Sequence, residues 1–344
     1  MKKVFVWLLA ALLALSVTGA LAEGEGILIG VVYKQSGNAY FQAAVGGFEQ
    51  ASEEIGFTFM HDGPDDGSSD GQIRIIENYI SMGVDAICVS ANDAAALVGV
   101  LQEAKEDGIK VVSWDAPVDA EGRDLDVQPS SAKAIALTLL DSIAESIGYE
   151  GQLAIVSAMA TAPNQNLWIG FIEEALEGDA AYANIEYVGT VYGNDEYTKS
   201  YDETLGLINL YPDLKGIITP TTAGGPAVAK CVMDEGKSIK VTGLTLASDM
   251  AEYIEAGVCD ATFLWNPIEL GYAASYAAIA LINGDITGAV GDTYDVPGVG
   301  TLVVEESTAV NDAGELVPTG GTISYLNKLN AFTVDTVGDW IDIL

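Results

Sequence analysis

The chain has 344 residues, 49% of them hydrophobic, and sets 14 basic residues against 50 acidic ones for a formal charge of −36. That charge repels nucleic acid and anionic lipid surfaces, which both need basic patches, and it disfavours strongly anionic ligands. Most of it reads as a solvated surface, and the length exceeds one ordinary core and suits two domains.

The first 22 residues read as an export signal rather than as part of the fold. Lys2 and Lys3 form a basic start, Val4 to Ala14 an apolar stretch, and Ala20-Leu21-Ala22 a small-residue cleavage site. The apolar stretch is short for a membrane-spanning helix. Cleavage after Ala22 takes the formal charge to −38 and puts the protein in the periplasm or outside the cell. No cysteine lies near the cut, so lipid attachment there is not expected.

From there, runs rich in Val and Ile predict strands at 27–33, 57–61, 86–91, 110–114, 153–158, 185–192, 216–220, 240–246 and 261–265. Between them, helices are predicted at about 39–55, 69–82, 93–107, 131–147, 165–178, 197–210, 224–236, 248–256 and 268–283. Continuous apolar strands alternating with helices make an α/β fold, with parallel sheets covered on both faces. The alternation runs in two batches, so two doubly wound lobes are expected. The boundaries read as 23–128 plus about 266–315 for the first lobe, and 129–265 plus about 316–344 for the second. Residues 127–130 and 261–267 are the expected crossings, and the tail from about Val299 is read as a third crossing and a closing cap.

In open parallel sheets, ligands bind beyond the carboxyl ends of the strands. The residues there are Lys34, Asn92 and Asp115 in the first batch, and Asn164, Gln165, Pro220 and Thr222 in the second. Two tripeptides stand out, Ser113-Trp114-Asp115 and Leu264-Trp265-Asn266. Each sets an indole, an apolar platform for a sugar ring, beside a side chain able to read hydroxyls. Both tryptophans read equally well as core aromatics at strand ends, and Tyr40 and Phe41, which open the first helix, either pack in the core or wall the same cleft. The pattern points to a receptor for a small polyhydroxylated molecule.

Catalytic signatures are missing. There is no G-x-G-x-x-G after the first strand, no phosphate loop and no G-x-S-x-G elbow. The single histidine, His61, precedes the turn Asp62-Gly63-Pro64 and reads as a solvated turn residue. A pair of carboxylates acting on a glycoside stays open, because acids are so abundant. No metal-ligand spacing occurs, and no cofactor is expected. Cys88 reads as a core residue, while Cys231 and Cys259 are left able to pair in an oxidising compartment.

A set of stretches occurs in order along the chain: Gly37-Asn38-Ala39-Tyr40-Phe41, Asp62-Gly63-Pro64, Ser90-Ala91-Asn92-Asp93 and Ser113-Trp114-Asp115. They continue with Asn164-Gln165-Asn166-Leu167-Trp168, Tyr211-Pro212-Asp213-Leu214-Lys215-Gly216-Ile217-Ile218, Pro220-Thr221-Thr222 and Leu264-Trp265-Asn266-Pro267. In these motifs and their spacing the chain resembles the rhamnose-type and autoinducer-2-type sugar-binding proteins of ABC importers, within the type I periplasmic binding proteins. The resemblance implies Rossmann-like lobes joined by a three-segment hinge and closing on one ligand. It also implies a monomer that meets permease subunits at the membrane, with neither nucleic acid nor catalysis involved. Carried over by position, Lys34, Asp115, Gln165 and Pro220 fall on pocket positions of autoinducer-2 receptors. Asn164 replaces an expected aspartate there and Thr222 an alanine, which looks more like the rhamnose branch. Rhamnose or a related deoxyhexose is therefore ranked before autoinducer-2.

Overall fold

The structure is a computed structural model and describes residues 26–310 and 316–344. The export signal expected at 1–22 lies outside the described residues. The predicted alternation is present. In chain order it begins β1 (Leu28–Val32), α1 (Ala39–Ile55), β2 (Thr58–Asp62), α2 (Ser69–Met82), β3 (Ala86–Val89), α3 (Val98–Glu106), β4 (Lys110–Trp114) and β5 (Leu125–Gln128). It goes on with α4 (Ala132–Ile147), β6 (Gly151–Ser157), α5 (Pro163–Gly178), β7 (Ile185–Tyr192), α6 (Tyr197–Leu210), β8 (Leu214–Thr219) and α7 (Gly225–Asp234). Then come β9 (Lys240–Gly243), α8 (Ala247–Glu255), β10 (Ala261–Leu264), α9 (Pro267–Asn283), β11 (Thr293–Val296) and β12 (Gly300–Val303). The chain ends with β13 (Glu305–Val310), β14 (Leu316–Tyr325) and β15 (Asn330–Thr333).

The first sheet runs β13-β14-β5-β4-β3-β1-β2, all parallel except the β13 edge. Its central strands β1, β3 and β4 are largely apolar on both faces, and their period-two alternation splits side chains between two cores. Val31, Cys88, Val112 and Trp114 face α1 and α9. Val32, Ile87, Val89 and Val111 face α2 and α3. The second sheet runs β7-β6-β8-β9 in parallel and is continued through a single bridge, Leu244 to Phe263, into the antiparallel pair β10–β15.

Among the described residues, three stretches link the lobes. One is 129–131 between β5 and α4, one is Trp265-Asn266 between β10 and α9, and one is 326–329 between β14 and β15. The first and third run side by side, with Leu326 N donating to Gln128 O and Lys328 N to Pro129 O, both at 3.0 Å.

Three expectations need correction. The segment 316–325 was assigned to the second lobe, yet β14 pairs with β5 and extends the first sheet, so the last crossing falls ten residues later than expected. Residues 127–130 were read as a crossing, yet Val127 and Gln128 close strand β5. Asp126 and Gln128 of this strand are polar yet buried, and Asp126 pairs with Arg123 at 2.8 Å. The helix expected from 93 starts at Val98, because the Asp93 carboxylate takes the Ala95 and Ala96 N–H groups (3.1 and 3.0 Å) and turns the chain first. The three cysteines are free and buried, and Cys88 is a core residue as expected.

Candidate functional site

Parallel register brings the loop ends of each sheet to one edge. Val32, Val89 and Ser113 are aligned across β1, β3 and β4, so Lys34, Ser90 and Asp115 emerge together. Ser157 aligns with Tyr192, and Thr219 with Gly243, which brings out the loops holding Asn164, Asp195 and Thr221. The two edges face each other across a cavity of about 40 Å³.

Asp115 is the centre of the first-lobe side. Its backbone has φ +62°, and Ala116 N donates to Trp114 O at 2.6 Å, so the chain makes a three-residue turn around it. A non-glycine residue in that turn is strained, by roughly 1–3 kcal/mol, and such strain persists only where surrounding bonds over-determine it. They do so here. Tyr40 OH donates to Oδ1 at 2.9 Å and Ser90 Oγ to Oδ2 at 2.7 Å, while Ala91 N donates to Ala116 O at 3.0 Å. Trp265 Nε1 donates to Tyr40 OH at 2.7 Å. An indole can only donate and a carboxylate only accept, so every proton in this relay has one direction. Each carboxylate oxygen keeps lone pairs for a further donor.

Burial pushes the Asp115 carboxyl above its usual range, and Asp195 adds to this. Lys34 and the Ser90 and Tyr40 hydroxyls pull it back. Burial, then the Asp115 charge, holds the Tyr40 phenol well above its ordinary value, so it stays a donor.

Across the cleft, Lys34 Nζ donates to Asn164 Oδ1 at 3.1 Å, and Asn164 Nδ2 to Asp115 O at 3.3 Å. These bonds join the lobes directly. Gln165 is fixed by Ser157 Oγ and Ala158 N, which donate to Oε1 at 2.8 and 2.9 Å, leaving its amide N–H₂ as a donor. Trp168, one helical turn on, meets Trp265 edge-on with centroids 6.1 Å apart.

Of the expected residues, Lys34, Asp115, Asn164, Gln165 and Pro220 line the cavity. So do Tyr40, Phe41, Thr222 and Trp265. Three do not. Trp114 is 0% exposed and packs against Phe41 and Phe48 in the core, because strand alternation turns it toward α1. Asn266 caps α9, its Oδ1 accepting from Ile268 N at 3.0 Å. Asn92 holds the loop ends together, donating Nδ2 to Lys34 O at 2.7 Å and its N–H to Gln72 Oε1 at 2.8 Å. His61 is exposed on β2 and absent from the cavity lining.

The sequence reading missed Asp195, Asn38, Thr221 and Trp168. Asn194 and Asp195 both have positive φ, +57° and +55°, in the loop after β7, and Thr221 Oγ1 donates to Asp195 Oδ1. The rule that finds Asp115 at a strand end would have found them, and the spacing of three from Gln165 would have found Trp168.

The periplasmic binding protein domain family matches residues 29–286. An ABC transporter solute-binding protein from Clostridium phytofermentas with bound L-rhamnose is 35% identical, with 93% of this chain and 100% of that one covered and a TM-score of 0.88. A D-ribose/D-allose-binding protein from Pseudomonas aeruginosa is 25% identical over 62% of this chain and 69% of its own. LsrB from Clostridium saccharobutylicum in complex with AI-2 has the same fold, with 23% identity, 91% and 99% coverage and a TM-score of 0.84. Fold, facing strand ends and these likenesses agree: the chain belongs to the periplasmic binding protein family, among the solute-binding proteins of sugar ABC transporters.

Proposed function

We propose that the cleft takes L-rhamnose or a closely related neutral deoxyhexose and hands it, unchanged, to the permease subunits of an ABC importer. The observation that carries this reading is the pairing across the cavity of a fixed carboxylate, Asp115, with amide groups from Asn164 and Gln165, between the walls Trp168 and Trp265. Carboxylate and amides read hydroxyls as acceptor and donor, and the indoles cover the ring face and methyl group that a deoxyhexose offers. The protein bound to L-rhamnose at 35% identity supports the same choice. A monomer, exported by a cleaved signal and working outside the cytoplasm, completes the reading.

Autoinducer-2 is the second reading. Lys34, Asp115, Gln165 and Pro220, the positions shared with its receptors by resemblance, all line the cavity. Calorimetry in one buffer separates the two, with rhamnose expected to bind at least about tenfold tighter, or roughly 1.4 kcal/mol. Binding of autoinducer-2 without rhamnose would hand the function to the second reading.

The direct bonds from Lys34 and Asn164 describe a closed arrangement, and a ligand that touches both lobes favours it by its differential affinity alone. Ligand-free protein should show a larger radius of gyration in small-angle scattering than protein saturated with ligand. Equal radii with a confirmed binder would exclude closure.

A further inference from the structure

A second cavity, about 430 Å³, lies on the hinge side of the same cleft. One water needs on the order of 10–15 Å³ of such space, so this cavity has room for a solute of many heavy atoms. Its walls come from both lobes. The first lobe supplies Asp126, Gln128, Ser307 and Tyr325, and the second supplies Leu167, Trp168 and Phe171 from α5.

The polar wall is fixed before anything binds. Arg123 pairs with Asp126 at 2.8 Å, with both side chains nearly inaccessible (4% and 2%). Ser113 Oγ and Gln128 Nε2 donate to Asp126 Oδ1 at 2.5 and 3.1 Å, which leaves Gln128 Oε1 as an acceptor. Arg123 also reaches Ser307 Oγ at 3.3 Å. Opposite stand an indole and two apolar side chains, with Lys133 Nζ 5.6 Å from the Phe171 ring centre. Cations Arg123 and Lys133 balance acids Asp119 and Asp126, so the lining has no net charge and favours a neutral solute.

We propose that this cavity is a second, weaker binding site for a neutral hydroxylated ring, the same chemical class as the sugar in the main cleft. Fixed polar groups on one side take the hydroxyls, and Trp168 with Phe171 covers the ring face. Asn164 and Trp168 line both cavities, so α5 is the partition between them. Because its walls belong to both lobes, an occupant stabilises the closed arrangement. The main site then binds more tightly, and by linkage the main ligand strengthens the hinge site by the same factor.

The choice of rhamnose as probe rests on the proposed function, and the site itself does not. L-rhamnose is titrated into protein labelled with 5-fluorotryptophan, and the Trp168 signal, assigned with Trp168→Phe, is followed by fluorine NMR. The expected result is a tight shift followed by a second shift at least roughly tenfold higher in concentration. Ala132→Phe, which fills the hinge cavity from the start of α4, should abolish the second shift and leave the first within about twofold. Leu167→Ala, which removes apolar wall, should weaken the second at least about threefold, and it stands in if the filled variant does not fold. A tight event with no second shift overturns the proposal, as does a second shift indifferent to both substitutions. A second shift sensitive to both, in protein with no tight event, upholds the hinge site and refutes rhamnose as the main ligand.

Discussion

Asp115→Asn is expected to weaken rhamnose binding by roughly ten- to a hundredfold in a protein that still folds. The carboxylate accepts from Tyr40 and Ser90 and still has lone pairs for ligand hydroxyls. The amide keeps the shape but loses the charge, and a hydrogen bond to a charged group contributes about 1.5–3 kcal/mol. One amide position also turns a donor toward Tyr40 or Ser90, whose hydroxyls must then rotate away. Calorimetry on wild type and variant measures the difference, with the melting temperature as the control for folding. Unchanged affinity in a folded variant would remove Asp115 from the site.

Acid should act through the same group. Burial raises the Asp115 carboxyl, so it takes up its proton at a less acid pH than an ordinary carboxylate. Protonation deletes an acceptor, so wild-type affinity should fall as the pH falls through that raised value. Asp115→Asn has no such group and should give a flatter profile over the same range.

How far the residues alone led depends on what each signal constrains. Strand–helix alternation is a one-dimensional pattern, and it placed nearly every parallel strand. The strand-end rule then found Lys34, Asp115, Asn164 and Thr222, because it needs only the end of the strand. It does not say which way the last strand residue points. Trp114 is still within β4, and two residues on from Val112 it shares that residue's core-facing side. Trp265 stands one residue beyond β10, free of that constraint, and reaches the cavity. Asn266 carried a different signature, a capping residue before Pro267, and the structure uses it as a cap. Strands β5 and β14 were misread because their polar residues are buried with partners, near in the chain for Asp126 of β5 (Arg123 and Ser113) and distant for β14. Tyr294, for example, shares a 2.7 Å hydrogen bond with Ser324.

The site also depends on a helix contact that no binding motif marks. Gly47→Ala is expected to lower the stability of the ligand-free protein by at least about 1–3 kcal/mol, the usual range for overpacking. Helices α1 and α9 meet backbone to backbone. A Cβ on Gly47 would stand 2.0 Å from Ile268 O and 2.6 Å from Tyr272 N, and one on Gly271 would stand 2.1 Å from Ala44 O. Backbone atoms cannot swing aside as a flexible side-chain end can, so the helices must separate toward a normal contact of roughly 3.5 Å. Tyr40 is at the start of α1, and α9 begins two residues after Trp265, so the separation also strains the 2.7 Å bond between those side chains. Affinity should therefore fall together with the melting temperature. Gly46, the neighbouring residue on α1, is the control, since a Cβ there meets nothing within 4 Å. Gly46→Ala should be neutral or stabilising by up to about 1 kcal/mol, from helix propensity alone. The two alanine variants differ by one position on one helix, so propensity cancels between them and the gap measures the close approach. Thermal denaturation that finds them equally stable would mean the two helices have slack to give, and that Tyr40 is held against Trp265 by something other than this crossing.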